Sequence, residues 1–505
     1  MEALTRSTFI LLALLLLTTY FLVTYIKSLI IAYNFAKKHN CEPAPRIPQS
    51  ERILGLANFR SLIRLAKAKQ MLPDRVARHR ELGNTFSLVS MGQKVHITAE
   101  PENVKALLST QFTDFGVGRR IDALRAFLGA GIFTTDGKMW EHSRALVRPS
   151  FTKSQVSDLA TYETHIQILV SKIPKDGTPI DLQLLFFQLA LDSATEFLLG
   201  ESVDSLSAPR GSEQHLFAQN FDNAQNYLPT RVRLGPFVRL YKSRDFDRSC
   251  RFVHVYIDRF VAKALEYRRE HLHQGEKEKG KYIFANELAL TTDDPIQIRS
   301  ELLNILLAGR DTTAGLLSNT FHELARRPQV WAKLNAEVAE LGGRRPDYEV
   351  LRGMKYLKWV LNEALRLYPS LPFNARFATK NTTIPTGGGP YHTSPIFIAK
   401  GQAVGYSVFA MHRRHDIFGP DADTFRPERW EDLRPGWGYL PFNGGPRICV
   451  GQQFALTRAS YTIVRLVQEF EKIETRDNRP WCEGLHVALS SGNGVLVSMF
   501  GNEEK

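Results

Sequence analysis

The chain has 505 residues, 43% hydrophobic and 23% charged, with a formal net charge of +13. That composition excludes a disordered or low-complexity chain and is sufficient for a large packed core. The basic residues are dispersed and no nucleic-acid-binding motif accompanies them, so the charge points to an anionic membrane surface or an acidic protein partner and away from DNA or RNA.

At the N-terminus, Thr8 to Ile26 carries no charge and is rich in Leu, Phe, Ile and Tyr. At ~1.5 Å per residue it is about as long as a bilayer's hydrocarbon core is thick. It is longer than the apolar region of a cleaved signal and lacks a small-residue cleavage site; a buried core helix fits this terminal position less well. Residues 1–36 therefore read as a membrane anchor, with a transmembrane helix at about 8–26. Lys27, Lys37, Lys38 and Arg46 come after it, which places the remainder on the cytosolic side in a single-pass arrangement. Pro43, Pro45 and Pro48 make 37–50 a short stiff connector. No Pro/Gly/Ser-rich linker divides the remaining chain, so 51–505 reads as one large domain without internal repeats.

Within that domain, helical periodicity runs over Arg251–Arg269 and ends in the polar run His271–Lys281, a solvated loop. Ile296–Arg327 predicts a long helix stopped by Pro328, apolar almost all round near its centre and so buried through the domain. Gln329–Leu341 and Met354–Leu367 predict two more helices. Between Pro369 and Phe409 the pattern changes to short β-like pieces, including those at Pro395 and Ala403. Gln452–Phe470 is helical again, and the chain returns to strand from Gly494. The expected class is mainly α with a minor β part.

Four constellations carry chemistry. In Phe442-Asn-Gly-Gly-Pro-Arg-Ile-Cys-Val-Gly451, two glycines and a proline precede a cysteine placed to open a helix. Backbone N–H groups there favour negative charge, so the Cys449 thiol is expected to be acidified. Arg447 adds a cation able to grip a carboxylate, and Gly445 and Gly451 leave room for something flat. A nucleophile needing a histidine base stays open as an alternative to a ligand. Cys41, Cys250 and Cys482 form no CxxC pair with it, which fits a reducing compartment. Second, Ala308-Gly-Arg-Asp-Thr-Thr313 places an acid, Asp311, and a hydroxyl, Thr312, beside small residues in an apolar helix. Third, Glu363 and Arg366 stand at i,i+3 on a helix, a spacing that ordinary surface ion pairs share. Fourth, Trp140 and Arg144 offer an indole N–H and a guanidinium one helical turn apart, suited to one carboxylate.

The cysteine string resembles the ligand loop of the cytochrome P-450 superfamily, F-x-x-G-x-R-x-C-x-G, at every defined position, and the resemblance runs from about residue 40 to the C-terminus. It implies a P-450 fold behind the single N-terminal helix, and haem b (iron protoporphyrin IX) with Cys449 as axial ligand of the iron. It implies that Asp311 and Thr312 relay protons during oxygen activation. It further implies that Trp140, Arg144, Arg376 and Arg447 hold the haem propionates, with Phe442, Gly445 and Gly451 shaping the loop. Glu363 and Arg366 resemble the family's E-x-x-R lock, pairing with Arg429 of Phe425-Arg-Pro-Glu-Arg429; Trp430 stands where the family often has Phe.

Closer strings, among them Phe373-Asn-Ala-Arg-Phe-Ala, Met411-His-Arg-Arg and Gly436-Trp-Gly-Tyr, look like fungal P-450s that hydroxylate n-alkanes and fatty acids. The implied reaction is O2- and NADPH-dependent hydroxylation of an apolar long-chain substrate at or near its terminus. Electrons would come from NADPH–cytochrome P-450 reductase at the endoplasmic reticulum membrane. Phe127, Leu128, Leu307 and Leu371 are candidate substrate contacts, with core packing the competing role for each. Arg144, Lys355, Arg447 and Arg458 are candidate docking residues for an acidic reductase. Two alternatives stand: a pathway-specific oxidase of the alkyl tail or skeleton of a fungal secondary metabolite, and a non-catalytic haem-binding membrane protein.

Overall fold

The computed structural model describes residues 2–51, 53–271 and 282–501, so most of the polar run ending at Lys281 lies outside the described residues. About 59% of the chain is helical and 12% strand, a mainly α protein with a minor β part. Where the sequence shows no divider, the chain forms two compact units. The first comprises 1–60, 78–116 and 375–406, and the second 61–77, 117–374 and 407–505.

The first unit is built on a five-stranded sheet. Thr85–Ser90 and Gln93–Thr98 form an antiparallel hairpin, Ala403–Tyr406 adds in parallel to Gln93–Thr98, and Asn374–Ala378 and Phe115–Gly116 complete it. Phe86, Ile97 and Ile47 form its small core. The N-terminal helix runs unbroken over Glu2–Lys38, well past Ile26. Its stretch Leu12–Lys38 has mean hydropathy 1.9 and buries none of its apolar window. The connector after it is stitched into the unit. The Glu42 N–H donates to Pro395 O, Gly389 N–H to Pro43 O, and Ser87 and Ile47 bond across residues 45–47.

The second unit is organised around the central helix, Pro295–Leu324. Asp294 caps it by accepting the N–H groups of Ile296 (2.8 Å) and Gln297 (3.2 Å), and Pro295 occupies the first turn, where a missing N–H costs nothing. The helix ends at Leu324, and Pro328 begins the next helix, Pro328–Ala339. Ala314, Leu317, Phe321 and Leu324 share one core with Leu189 of the helix Leu182–Leu199, Leu361 and Leu365 of Lys355–Leu367, and Ile463 of Gln452–Glu469. Leu182–Leu199 is apolar enough to span a membrane but is 56% buried, as a core helix is. The hairpin of Glu483–Leu485 with Leu489–Ser491 closes on the central helix at Gly315. A Cβ at Gly315 would lie 2.4 Å from the Leu489 carbonyl oxygen.

Candidate active site

The loop before Gln452–Glu469 turns sharply. Asn443 (φ 65°) and Gly445 (φ 67°) adopt left-handed backbone, and a Cβ on Gly444 would sit 2.8 Å from the Trp437 ring. These turns return the Cys449 N–H to the Phe442 carbonyl at 3.0 Å. Gly451 caps the helix, so Cys449 precedes the helix and does not open it. A Cβ on Gly451 would meet Phe151 at an ordinary 3.4 Å, so what Gly451 contributes is its N–H, which donates to the sulfur. The thiol is not acidified by the protein. Burial pushes it up, and the Gly451 N–H and Arg144 guanidinium, which favour the thiolate, offset only part of that. Yet Cys449 is exposed, as is Ile448 at 40%. An exposed sulfur on this loop can be reached by a ligand.

The helix Gly137–Val147 brings one cation, Arg144, and an indole, Trp140, to this loop, which carries its own cation in Arg447. Trp140 is buried under Arg447, whose guanidinium lies 4.3 Å from the ring centroid, with Arg144 at 5.9 Å. Arg144 Nη1 donates to Ile448 O at 3.0 Å. Arg447 Nη2 donates to Thr135 O (2.9 Å) and to Asp136 Oδ1 (2.6 Å). Asp136 precedes this helix, so its bond to Arg447 ties the loop to the helix start, and it also accepts the Val117 N–H at 2.8 Å. Sequence reasoning assigned it no role, since an acid beside a glycine reads as an ordinary turn. Arg376 belongs to the first unit. It is buried on Asn374–Ala378, donates to the neighbouring Ala375 carbonyl at 3.0 Å, and its Nε has no hydrogen-bond partner among the described residues.

On the central helix, every residue from Ser300 to Leu324 is buried except Ala308, Gly309 and Thr312. Ala308 and Thr312 lie one turn apart on one face, so between Ser300 and Leu324 the helix opens at this patch alone. Thr312 Oγ1 donates to Ala308 O at 2.6 Å. Asp311 points elsewhere: Gln225 Nε2 donates to its Oδ2 and Arg310 Nη1 to its Oδ1 at 3.2 Å. Arg310 in turn pairs with Asp222 at 2.6 Å and lies over the rings of Phe187 and Phe221. Burial raises the Asp311 carboxyl to about 6 despite the adjacent Arg310. The acid and hydroxyl are thus neighbours in sequence with separate partners. Arg310, a cation within an apolar stretch, was the available signal for this network; Asp222 and Gln225 gave none.

The structure brings Glu363, Arg366 and Arg429 together in the core, all buried. Glu363 Oε1 accepts from Arg366 Nη2, Arg429 Nε and the Arg426 N–H, each at 2.8 Å. Its Oε2 accepts from Arg366 Nε at 2.9 Å and from Trp430 Nε1 at 3.0 Å. The indole N–H is a donor that phenylalanine would lack. His412, also buried, donates from Nδ1 to Arg366 O (3.1 Å) and accepts the Leu440 N–H on Nε2 (2.9 Å), which connects this cluster to the segment leading into the cysteine loop.

Of the candidate substrate contacts, Phe127 and Leu128 are fully buried and Leu307 is 5% exposed; Phe127 packs on Phe221 with centroids 5.3 Å apart. Leu371 is 42% exposed, next to Phe373 at 43%. Among the candidate docking residues, Arg458 is withdrawn: it is buried, stacked 4.1 Å from Tyr162 and 4.7 Å from Phe454. Lys355 is exposed and pairs with Glu431 at 3.3 Å.

A family model described as Cytochrome P450 matches residues 53–493. The chain is 45% identical over 466 residues to cytochrome P450 monooxygenase himC of Aspergillus japonicus, covering 91% of this chain and 84% of that protein. It is 44% identical over 493 residues to cytochrome P450 52A13 of Debaryomyces hansenii, covering 92% and 93%. Cytochrome P450 monooxygenase fsdH of Fusarium heterosporum is 44% identical over 495 residues, 94% of this chain and 86% of that one. The crystal structure of the cytochrome P450DA haem domain superposes with a TM-score of 0.77 at 22% identity, covering 92% of this chain and 98% of that one; at that identity the likeness concerns the fold.

Proposed function

Because the chain belongs to the cytochrome P450 family and is a haem-dependent monooxygenase, we propose that it hydroxylates a long aliphatic chain, an n-alkane or a fatty acid, at or near a terminal carbon. The observation that carries this reading is the character of the open surface in the second unit. Leu371, Phe373 and Ile448 present apolar surface, and the open patch of the central helix is Ala308, Gly309 and Thr312. Beside that patch the charged Arg310 and Asp311 are buried and paired with each other instead. An apolar chain loses water on entering such a site without leaving a charge unpaired. The likeness to 52A13 supports the same class.

Cys449 would hold the haem iron through its sulfur, and the Gly451 N–H would stabilise charge on that sulfur. Trp140, Arg144 and Arg447 would hold the propionates. When bound, the haem supplies the oxygen chemistry, with electrons from NADPH through a reductase of the endoplasmic reticulum. Thr312 and Asp311 would hold and deliver protons, Thr312 from the open face and Asp311 from behind it. The helix Glu2–Lys38 would span the membrane once, with the basic residues after Ile26 on the cytosolic side.

The test is product analysis with the full chain, a reductase, NADPH and a chain-length series of n-alkanes and fatty acids. Terminal or near-terminal alcohols are expected. NADPH oxidation without such products would discard the substrate assignment. A second reading, oxidation of the alkyl tail or skeleton of a secondary metabolite, remains because himC and fsdH are as similar to this chain as 52A13 is. The same failure would favour it.

A further inference from the structure

The role proposed for Asp311 and Thr312 requires the carboxyl to serve the open face of the central helix, and in the structure it is held from behind. Both of its oxygens are engaged by groups that trace to one turn of the helix Glu213–Leu234. Gln225 donates to Oδ2 directly. Asp222, three residues earlier on the same face, pairs with Arg310 at 2.6 Å, and Arg310 donates to Oδ1 at 3.2 Å. Phe221 and Phe187 pack on the Arg310 guanidinium and restrict its movement. From the hairpin beginning at Glu483, His486 also bears on the Asp222–Arg310 pair. The charged and titratable groups around the acid are therefore Arg310, Asp222 and His486, with Gln225 as a neutral donor.

We infer that Asp222 and Gln225 are positioning residues for the Asp311 carboxyl, so that the helix Glu213–Leu234 determines where the acid lies relative to Thr312. This rests on the proton-relay role proposed for Asp311. The two grips act in opposite senses on its charge. The Gln225 N–H stabilises the carboxylate, whereas the Asp222 carboxylate disfavours it by direct repulsion and by sharing Arg310. Loss of the Gln225 donor therefore raises the titration of Asp311, and neutralising Asp222 lowers it. General loosening of the fold would not produce opposite shifts.

The experiment is an infrared difference titration of the carboxyl C=O band, assigned with Asp311→Asn, on both haem-loaded and haem-free protein. The wild type is compared with Gln225→Leu and Asp222→Asn. The Asp222 side chain is 48% exposed, so its amide variant tests the grip with little disturbance of packing. In parallel, the share of reducing equivalents lost to peroxide is measured against pH in the reconstituted enzyme. The Gln225→Leu midpoint should rise by about one pH unit, as expected for one lost hydrogen bond to a charged group. The Asp222→Asn midpoint should fall, and the peroxide profile should shift with each. Unchanged midpoints, or shifts in the same direction, overturn the inference. An Asp311→Asn enzyme with wild-type peroxide release would instead overturn the relay role beneath it.

Discussion

Single residues account for most of what is unusual about the site. Trp430 is an example: its N–H makes Glu363 the acceptor of five donors, and the neighbouring Arg366 also bonds the carbonyls of His412, Ala422 and Thr424. Trp430→Phe removes one charge-assisted bond while keeping the ring. It should destabilise the second unit by about 1–2 kcal/mol, read as a lower denaturant midpoint. Arg366→Lys should cost more than that, since a lysine cannot span five acceptors with a planar fork. An unchanged midpoint in Trp430→Phe would mean that the indole bond is not used. At the cysteine, Cys449→Ala should abolish the thiolate-type absorbance band of the reduced, CO-bound protein. A retained band would refute the ligand assignment. The ten-residue context of Cys449 made it the candidate ligand among the four cysteines; its titration was not legible. The sequence shows helix-forming residues after Cys449 but not the desolvation of its thiol by the surrounding chain, which outweighs the local donors.

Elements were legible in proportion to their periodicity. The central helix, Lys355–Leu367 and Gln452–Glu469 lie within a few residues of their expected bounds, because each carries a long apolar face. The hairpin Thr85–Thr98 and the helix Glu213–Leu234 were not legible: the first is short, and the second carries polar residues that face inward only because partners await them. Gln225 meets Asp311 across 86 positions of sequence, a pairing that no local pattern announces. Glu363, Arg366 and Arg429 were legible only through family resemblance, since an i,i+3 ion pair alone has no address. For the N-terminal helix, removing residues 1–38 should move much of the protein from the membrane pellet to the supernatant at high salt. Complete retention in the pellet would require another membrane contact of comparable strength.

At the scale of the whole molecule, acid sensitivity comes from three buried histidines, His96, His322 and His412, each lowered to about 3 by burial. Their unfolded counterparts titrate near 6.5, so below that pH the unfolded chain binds more protons and stability falls as pH falls. Asp311 and Glu301 act the other way, since their carboxyls are raised to about 6 and about 7 and are favoured in the folded state as pH drops through that range. The two effects partly cancel between about pH 4.5 and 6.5, and below about 4.5 the histidines continue together with carboxylates held low by their partners, such as Asp477 at about 2. Denaturant midpoints should therefore decline gently from neutrality and steeply below pH 4.5. His96→Leu should flatten that decline, because neither His96 nitrogen has a hydrogen-bond partner among the described residues to lose. An equal slope in the variant would count against this account.

The unbroken N-terminal helix has a mechanical consequence. Its 37 residues reach about 55 Å, nearly twice a bilayer's hydrocarbon thickness. The backbone bonds of Glu42, Pro43, Pro45 and Ile47 then join the helix to the rest of the first unit within a few residues of its end. With the span in lipid, as proposed, the helix is a lever and not a tether. Tilting it to match a thinner or thicker bilayer would swing the first unit through a corresponding arc, so lipid composition would set how that unit meets the membrane surface.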